Sequence, residues 1–287
     1  MRIGVIGAGK VGISTSYVML QRGLQVVAMS DKDMGALENA RQYLVEKGDI
    51  VFINDNPYVV KNADMVIIAT QDRIIDEVVQ ELREKINTFE GKYIVHTSGA
   101  HSSQILRPLD SKGAMLGVMH PLQTFPDIDS AIAVIPDTYI FIQGDAECLG
   151  MLRYVAEKIG KKAIEIKEEH MLLYHLSAVL VCNLFCALLY ASEDIVKEIG
   201  IGLEPYFPII KATLQNIEKK GPLRSLTGPI VRGDVNTIIS HLEAIEDRGM
   251  LRDVYITLSR IALKMAQERG DINRGMAEKI ASILDKG

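Results

Sequence analysis

A glycine-rich turn stands near the start of this chain, between a strand-like and a helix-like segment. The apolar run before it ends at Ile6, helical character begins at Ile13, and the turn itself reads Gly7-Ala8-Gly9-Lys10-Val11-Gly12. Strand, turn and helix in this order form the fingerprint of a dinucleotide-binding unit. Its glycines permit a tight turn, a close approach to pyrophosphate and close packing of helix on strand. The helix N-terminus then offers N–H groups and a partial positive charge to the phosphates.

The composition is that of an ordinary globular protein. The chain has 287 residues, of which 48% are hydrophobic and 24% charged, enough for one large or two ordinary domains. Its net charge of −5 argues against a nucleic-acid surface. The first apolar run is too short for a signal peptide, and no uninterrupted apolar stretch reaches the ~18 residues of a membrane span. We therefore expect a cytoplasmic protein with neither a nucleic-acid nor a membrane partner.

Strand-like and helical runs alternate in the first half of the chain, which predicts parallel βαβ units. The predicted strands lie at 1–6, 25–29, 51–53, 64–69, 92–96, 115–119, 139–142 and 163–166. Beyond residue 167 only helical periodicity remains, and it predicts helices over 167–199 and near 204–219, 234–247, 250–268 and 274–284. The expected architecture is an α/β Rossmann domain over 1–166, with a mostly parallel, doubly wound sheet, followed by an all-α domain over 167–287.

The end of the second strand bears on which nicotinamide cofactor binds. In NAD-binding proteins an acidic residue at this point holds the ribose hydroxyls. Counted from the last apolar residue, Ser30 occupies that position, and a serine there with Lys32 would accept a 2′-phosphate. Asp31 and Asp33 act in the opposite sense, because a carboxylate bonds ribose and repels phosphate. This mixed pattern favours NADP and leaves NAD as the alternative.

Other cofactor contacts are expected where the fourth and fifth strands end, because open α/β sheets bind ligands at the carboxyl ends of their strands. Asp72, which opens the following helix, either contacts the cofactor or caps that helix. The residues predicted to line the cofactor crevice are Ala69, Thr70, Gln71 and Thr97.

Four polar clusters stand out from the rest of the sequence. Residues 96–100 follow the fifth strand and residues 120–125 follow the sixth, so both clusters are predicted at the carboxyl edge of the sheet. Tyr174 and His175 lie with Asn183 in the first helical run after the sheet, and residues 226–234 join two predicted helices.

These clusters resemble the motifs of a known family. They read His96-Thr97-Ser98-Gly99, His120-Pro121-Leu122-Gln123, Tyr174-His175 and Gly228-Pro229-Ile230-Val231-Arg232-Gly233-Asp234. The chain thus resembles Rossmann-like oxidoreductases whose helical C-terminal half is a domain of unknown function. It is more loosely similar to the superfamily of 6-phosphogluconate dehydrogenase, β-hydroxyacid dehydrogenases, pyrroline-carboxylate reductase and ketopantoate reductase. The resemblance covers nearly the whole chain. It implies an active site between the two domains, a homodimer formed through the helices, and reduction of a small 2-oxo acid such as ketopantoate.

The resemblance also implies roles for the polar residues. A carbonyl that becomes an alkoxide needs a donor aimed at its oxygen, and the wider relatives use a lysine on the first helix of the second domain. His175 takes that place here, and Asn183 the place of a downstream asparagine. Histidine suits proton transfer because its ordinary pKa is about 6.5. We predict His175 on the carbonyl and Asn183 orienting the substrate or nicotinamide, with His120 as the alternative proton donor.

An anionic group is expected on the substrate. Arg232 is the best candidate to bind a carboxylate or phosphate, because a guanidinium pairs with oxyanions in bidentate fashion. Asp234 either orients Arg232 or caps the next helix. The side chains and N–H groups predicted to complete the substrate site are those of Ser98, Gly99, Gln123 and Thr124.

Other readings of the chain differ in chemistry. Cys182 and Cys186 lie in an apolar run and are read as core cysteines, so we expect no metal. The alternatives to a reductase of 2-oxo acids are a hydroxy-acid dehydrogenase, an imine reductase and a regulator that binds NADP without turnover.

Overall fold

The computed structural model describes residues 1–286, and an eight-stranded sheet dominates its first half. All eight predicted strands are present, as β1 Arg2–Ile6, β2 Gln25–Ser30, β3 Val51–Ile53, β4 Met65–Ile68, β5 Tyr93–His96, β6 Met115–Pro121, β7 Tyr139–Gly144 and β8 Lys162–Glu165. They are ordered β3-β2-β1-β4-β5-β6-β7-β8. Every neighbouring pair is parallel except β6 with β7. The prediction of a mostly parallel sheet is therefore confirmed.

Helices cover both faces of the sheet, as doubly wound folds require. They are α1 Lys10–Gln21, α2 Met34–Leu44, α3 Asn56–Asn62, α4 Asp72–Lys85, α5 Ile128–Val134 and α6 Ala146–Ile159, with 3₁₀ segments at Ser103–Lys112 and Ile135–Asp137. Ile67 of β4 packs in the core shared with α1, α2 and α6. Its neighbours Val66 and Ile68 pack in a second core, with α3, α4 and the segment Ser103–Lys112. Successive residues of a strand point to opposite faces, so the apolar run of β4 serves both cores.

The order of the strands places a switch point at the carboxyl ends of β1 and β4. The chain continues from β1 to β2 on one side, whereas β4 pairs with β1 on the other. Gly7 follows β1 with a φ of 110°, and a Cβ at this position would lie 2.7 Å from the backbone of Ala69. Gly12 packs even more closely, because its Cβ would lie 2.0 Å from the Gly7 carbonyl oxygen. Only glycine fits these two positions, as the dinucleotide fingerprint predicts.

The second half of the chain is helical. Its helices are α7 Met171–Val181, α8 Asn183–Glu198, α9 Phe207–Ser225, α10 Pro229–Arg232, α11 Val235–Ala244, α12 Gly249–Arg269 and α13 Arg274–Lys286, and no strand follows β8 up to residue 286. Contacts divide the chain into one compact unit from Met1 to Asn183 and another that begins at Leu184. Side chains of α10, α11, α12 and α13 form the core of the second unit, with Ile238 and Ile280 fully buried.

One predicted helix is wrong in its extent. The single helix expected over 167–199 is two helices, α7 and α8. They are separated at Cys182, whose backbone angles of −119° and −72° depart from helical values. Cys186 is exposed rather than in the core. The apolar periodicity runs through Cys182 without a glycine or proline, so it carried no signal of the break.

The stretch Glu168–Glu198 is nevertheless long and apolar enough, by length and composition, to cross a membrane. The mean hydropathy of its most apolar 18-residue window is 2.1, and none of the residues in that window is buried within this chain. The sequence analysis counted only uninterrupted apolar residues and therefore expected no such stretch. A mean hydropathy over 18 residues stays high even though the stretch contains His175, Ser177 and Asn183. An exposed apolar surface of this kind marks a site of interaction.

We predict that Gly12→Ala destabilises the first unit whereas Gly9→Ala does not. The Cβ added at Gly12 collides with a backbone oxygen that cannot move without disturbing β1, and overpacking of this kind costs about 1–3 kcal/mol. A Cβ at Gly9 meets no atom within 4 Å, so its cost stays below about 1 kcal/mol. Urea unfolding of both variants measures the difference, and equal losses of stability would contradict this account of the turn.

Candidate active site

The glycine turn presents backbone N–H groups at the carboxyl edge of the sheet. Gly9 occupies the cap position of α1, and no side chain caps the helix there. Ala8 donates its N–H to Oδ2 of Asp31 at 2.7 Å, which ties the turn to the end of β2. Nζ of Lys10 donates to the Pro126 carbonyl at 2.6 Å, in the segment that follows β6. Gly9 and Val11 have no polar side chain, so they would contact a cofactor through their backbone or by apolar packing.

The end of β2 differs from the sequence interpretation. Ser30 is fully buried, and its hydroxyl donates to Oδ1 of Asn56 at 2.7 Å. Its hydroxyl is therefore engaged within the fold rather than free for the ribose or phosphate predicted there, and Asp31 and Lys32 stay the predicted ligands. The prediction counted from the last apolar residue, but β2 includes Ser30 because it pairs with Ile6 and Ile53 on its two sides. Lys32 is exposed, with Nζ 3.8 Å from Oε2 of Glu77.

The residues that follow β4 lie beside the glycine turn at the carboxyl edge of the sheet. The hydroxyl oxygen of Thr70 is buried and has no hydrogen-bond partner among residues 1–286. Unpaired buried hydroxyls are costly, so this group is suited to a bound ligand. Gln71 occupies the cap position of α4, which excludes Asp72 from that role. Ala69 is nearly buried and packs against the turn at Gly7.

His96 organises the loop after β5. It is fully buried, its Nε2 donates to the Ser102 carbonyl at 3.1 Å, and its Nδ1 accepts the Ser98 N–H at 3.2 Å. Burial lowers the pKa of His96 to about 4, which keeps the ring neutral and consistent with this pattern. Thr97 donates its N–H to the Ile68 carbonyl, so its backbone is tied to β4. The Ser98 hydroxyl accepts the N–H groups of Ala100 and His101 in its own loop.

Gly99 is the meeting point of three of the predicted clusters. A Cβ at this position would lie 2.8 Å from both Cε1 and Nε2 of His120 and 3.0 Å from Nδ1 of His175. The two imidazole rings are 6.3 Å apart, centroid to centroid. Only glycine leaves room for both rings beside this backbone. The structure thus brings residues 96–99, His120 and His175 together, although they are separated by up to eighty residues of sequence.

Tyr174 is the functional candidate that the sequence analysis did not assign. Its hydroxyl lies 2.6 Å from Nδ1 of His120. Its ring stacks on Phe141 with a centroid distance of 4.0 Å, and Phe141 is paired with His120 across β6 and β7. The only signal in the sequence was its place next to His175, because nothing in the spacing relates residue 174 to residue 120.

Burial sets the protonation of this pair. It lowers the pKa of His120 to about 4, with a further contribution from His175, and it raises the pKa of Tyr174 above its ordinary value. Both groups are therefore neutral near pH 7. His175 has a buried Nδ1 without a hydrogen-bond partner in the described part of the chain, so one ring nitrogen is left for a ligand.

Most of the remaining predicted site residues are exposed. Gln123 and Thr124 are exposed, and the Gln123 amide turns back towards Thr138, 3.4 Å from its hydroxyl. Asn183 is exposed at the start of α8. Arg232 and Asp234 belong to the second unit, where Arg232 is exposed. Asp234 caps α11 by accepting the Thr237 N–H and hydroxyl, which is the structural role foreseen for it.

Comparisons with known proteins agree with this architecture. A search of curated proteins finds no match. Among solved structures, a protein from Bacteroides fragilis described as a candidate NADP oxidoreductase is 23% identical, with a TM-score of 0.69 over 92% of this chain and 98% of that one. A Thermotoga maritima protein is 22% identical, with a TM-score of 0.73 over 93% and 99%. A reductive aminase from Aspergillus terreus in complex with NADPH and ethyl levulinate is 16% identical, with a TM-score of 0.69 over 99% and 98%.

Two protein families match successive parts of the chain. Residues 1–121 match the family described as a Rossmann-like domain. Residues 138–262 match a domain of unknown function, DUF2520. The chain thus matches a Rossmann-like domain and then DUF2520 in succession, the combination that its polar motifs resemble.

Proposed function

We propose that the protein is an NADPH-dependent oxidoreductase that reduces a small compound with a C=N or C=O bond. The observation that carries the proposal is the convergence of His120, His175 and Tyr174 on Gly99 at the sheet edge that bears the glycine turn. The fold is shared with the reductive aminase from Aspergillus terreus, which binds NADPH. The same fungal enzymes include an imine reductase, which supports the imine alternative more than ketopantoate.

The residues at the edge fit a dinucleotide. The turn at 7–12 would receive the pyrophosphate, because Gly9 offers open space and α1 begins there without a side-chain cap. Thr70 would give its unpaired hydroxyl to the cofactor. Lys32 would pair with a 2′-phosphate, while the Asp31 carboxylate is already engaged by two N–H groups, from Ala8 and Asp33. When bound, NADPH supplies the hydride.

Tyr174 and His120 would supply the proton. The Tyr174 hydroxyl donates to Nδ1 of His120, so Nε2 carries the remaining ring proton and faces Gly99. A substrate heteroatom bound there takes the Nε2 proton as negative charge develops on it. Nδ1 would take the proton of Tyr174 as Nε2 gives up its own, so the imidazole stays neutral, the negative charge passes to the Tyr174 oxygen, and a proton from solvent then restores the hydroxyl. His175 would orient the substrate through its unpaired Nδ1.

A second copy of this chain is the partner that we propose for the exposed apolar residues of α7 and α8. Leu172, Leu173 and Val181 are 68%, 65% and 76% exposed, respectively. A membrane would bring the polar groups of Ser177 and Asn183 into hydrocarbon, which is costly, whereas a protein interface accommodates them. The role of Arg232 in binding an anionic substrate stays a prediction.

The proposed activity predicts that the protein oxidises NADPH in the presence of cyclic imines or small oxo acids. NADPH should be preferred to NADH because only its 2′-phosphate pairs with Lys32. Loss of absorbance at the NADPH wavelength measures both properties across a panel that includes ketopantoate. Tight NADPH binding with no turnover of any substrate would favour the regulator, and a clear preference for NADH would refute the assignment of Lys32.

Tyr174→Phe should lower kcat about 100-fold, the lower end of what a positioned acid or base contributes. The variant removes one hydroxyl and keeps the ring that stacks on Phe141. Tyr154→Phe is the matched control, because Tyr154 is half-exposed on α6 and lies outside this edge. Steady-state kinetics with the best substrate of the panel measures both variants.

The pH profile separates this role from a structural one. A donated hydrogen bond stabilises the neutral form of His120, so removing the Tyr174 hydroxyl raises the pKa of that histidine above its value of about 4. The His120 ring should therefore gain its second proton at higher pH in Tyr174→Phe than in the wild type, as followed by NMR of the imidazole. An unmoved titration of His120, or an equal loss of kcat in Tyr154→Phe, would refute the proton-transfer role.

The proposed dimer predicts a molar mass about twice that of the 31.7 kDa chain. Light scattering in buffer without detergent measures it, and Leu173→Glu should shift the protein towards the monomer because it buries a charge in the interface. A monomer in buffer, or a protein that stays soluble only in detergent, would contradict the proposal.

A further inference from the structure

A series of hydrogen bonds, buried at Ser30 and exposed at Lys85, links the end of β2 to α3 and α4. The Ser30 hydroxyl donates to Oδ1 of Asn56, and Nδ2 of Asn56 donates to Oε2 of Glu81, both at 2.7 Å. Nζ of Lys85 donates to the other carboxylate oxygen at 2.9 Å. Ser30 is 0% and Asn56 is 8% exposed. None of these four side chains takes part in the proposed reaction.

The negative charge of Glu81 sets the direction of these hydrogen bonds. Burial raises the pKa of Glu81, but the hydrogen bonds from Lys85 and Asn56 outweigh it and hold that pKa below its ordinary value. Glu81 is therefore a carboxylate that can only accept. Because the carboxylate accepts a hydrogen bond from Nδ2 of Asn56, the amide oxygen Oδ1 faces Ser30. The Ser30 hydroxyl therefore donates to it. The positive charge of Lys32 acts on Glu81 in the same direction as the two hydrogen bonds.

The segment Ser30–Asp33, which follows β2, is also bonded to the glycine turn at 7–12. Asp31 follows Ser30 directly and accepts the N–H groups of Ala8 and Asp33 at 2.7 and 2.9 Å. The segment Ser30–Asp33 thus lies between two sets of hydrogen bonds, one at the cofactor edge and one behind it. Loss of the hydrogen bonds through Asn56 would leave the buried Ser30 hydroxyl unpaired and would loosen the backbone that carries Asp31 and Lys32.

We infer that Asn56 and Glu81 are positioning residues for the adenosine half of the cofactor: they hold the Ser30–Asp33 turn in the geometry that binds the ribose and its 2′-phosphate. This inference rests on the proposed function, because it takes NADPH as the cofactor. A residue with a structural role alone would lower stability and would affect both halves of the cofactor alike.

Two half-cofactors test the inference on the full chain. The probes are 2′,5′-ADP, which carries the phosphorylated ribose, and reduced nicotinamide mononucleotide, which lacks the adenosine half. Asn56→Ala should weaken 2′,5′-ADP about tenfold, equivalent to about 1.4 kcal/mol, and leave the mononucleotide within about twofold. Asn62→Ala is the matched control, since Asn62 lies on the same helix and its side chain donates to the Tyr58 carbonyl within that helix. It should change neither affinity in titration calorimetry.

Glu81→Gln keeps the size of the side chain and provides the second variant if Asn56→Ala folds poorly. It should weaken 2′,5′-ADP severalfold and spare the mononucleotide. Equal weakening of both probes, or unchanged 2′,5′-ADP binding in a folded Asn56 or Glu81 variant, would overturn the inference. A wild-type protein that binds neither NADPH nor 2′,5′-ADP would instead refute the proposed function itself, so the two failures are distinguishable.

Discussion

The parallel pairing of four central strands is the constraint on which the rest of the site depends. Ile6, Ile68, His96 and Val118 lie side by side across β1, β4, β5 and β6. The residues that follow them therefore emerge at one edge of the sheet, in rows set by the register. That register places Thr70, Ser98 and His120 near one level, close to the glycine turn. A slip of one residue in any of these strands would turn each of its side chains to the other face, and the site would not assemble.

Burial then decides the chemistry of the residues that meet at this edge. His96 and His120 are both held neutral by loss of solvent, yet their surroundings differ. Both ring nitrogens of His96 are used by its own loop, so it maintains the loop that carries Gly99. His120 leaves Nε2 beside Gly99 and shares Nδ1 with Tyr174. Two histidines at the ends of neighbouring strands thus differ in role: His96 is structural, whereas His120 is a candidate catalytic residue. Exposure of one ring nitrogen to a ligand is what separates them.

The strands were predictable because each is a short apolar run bounded by turn residues, and a buried strand needs little else. The close packing at Gly7 and Gly12 was predictable from the glycine turn, because the dinucleotide fingerprint requires it at these positions. The position of Ser30 was not predictable, because whether β2 includes it depends on pairing with strands on both sides. The break at Cys182 was hidden for a related reason: helical periodicity continues through it, and no residue there disfavours a helix. The Tyr174–His120 contact joins residues from different elements, and single-sequence patterns carry no such pairing.

By itself, the sequence determined the alternation of strands and helices, the parallel sheet, the glycine turn and the identity of the polar clusters. These follow from hydrophobic periodicity and from the backbone conformations that only glycine permits, and both are local properties of the chain. Tertiary structure alone decided which polar residues meet: Gly99 with two histidines, Tyr174 with His120, and Ser30 with Asn56 rather than with a ligand. The reason is that hydrogen bonds and desolvation depend on distances across the fold. Those distances exist only once strand order and register have been set.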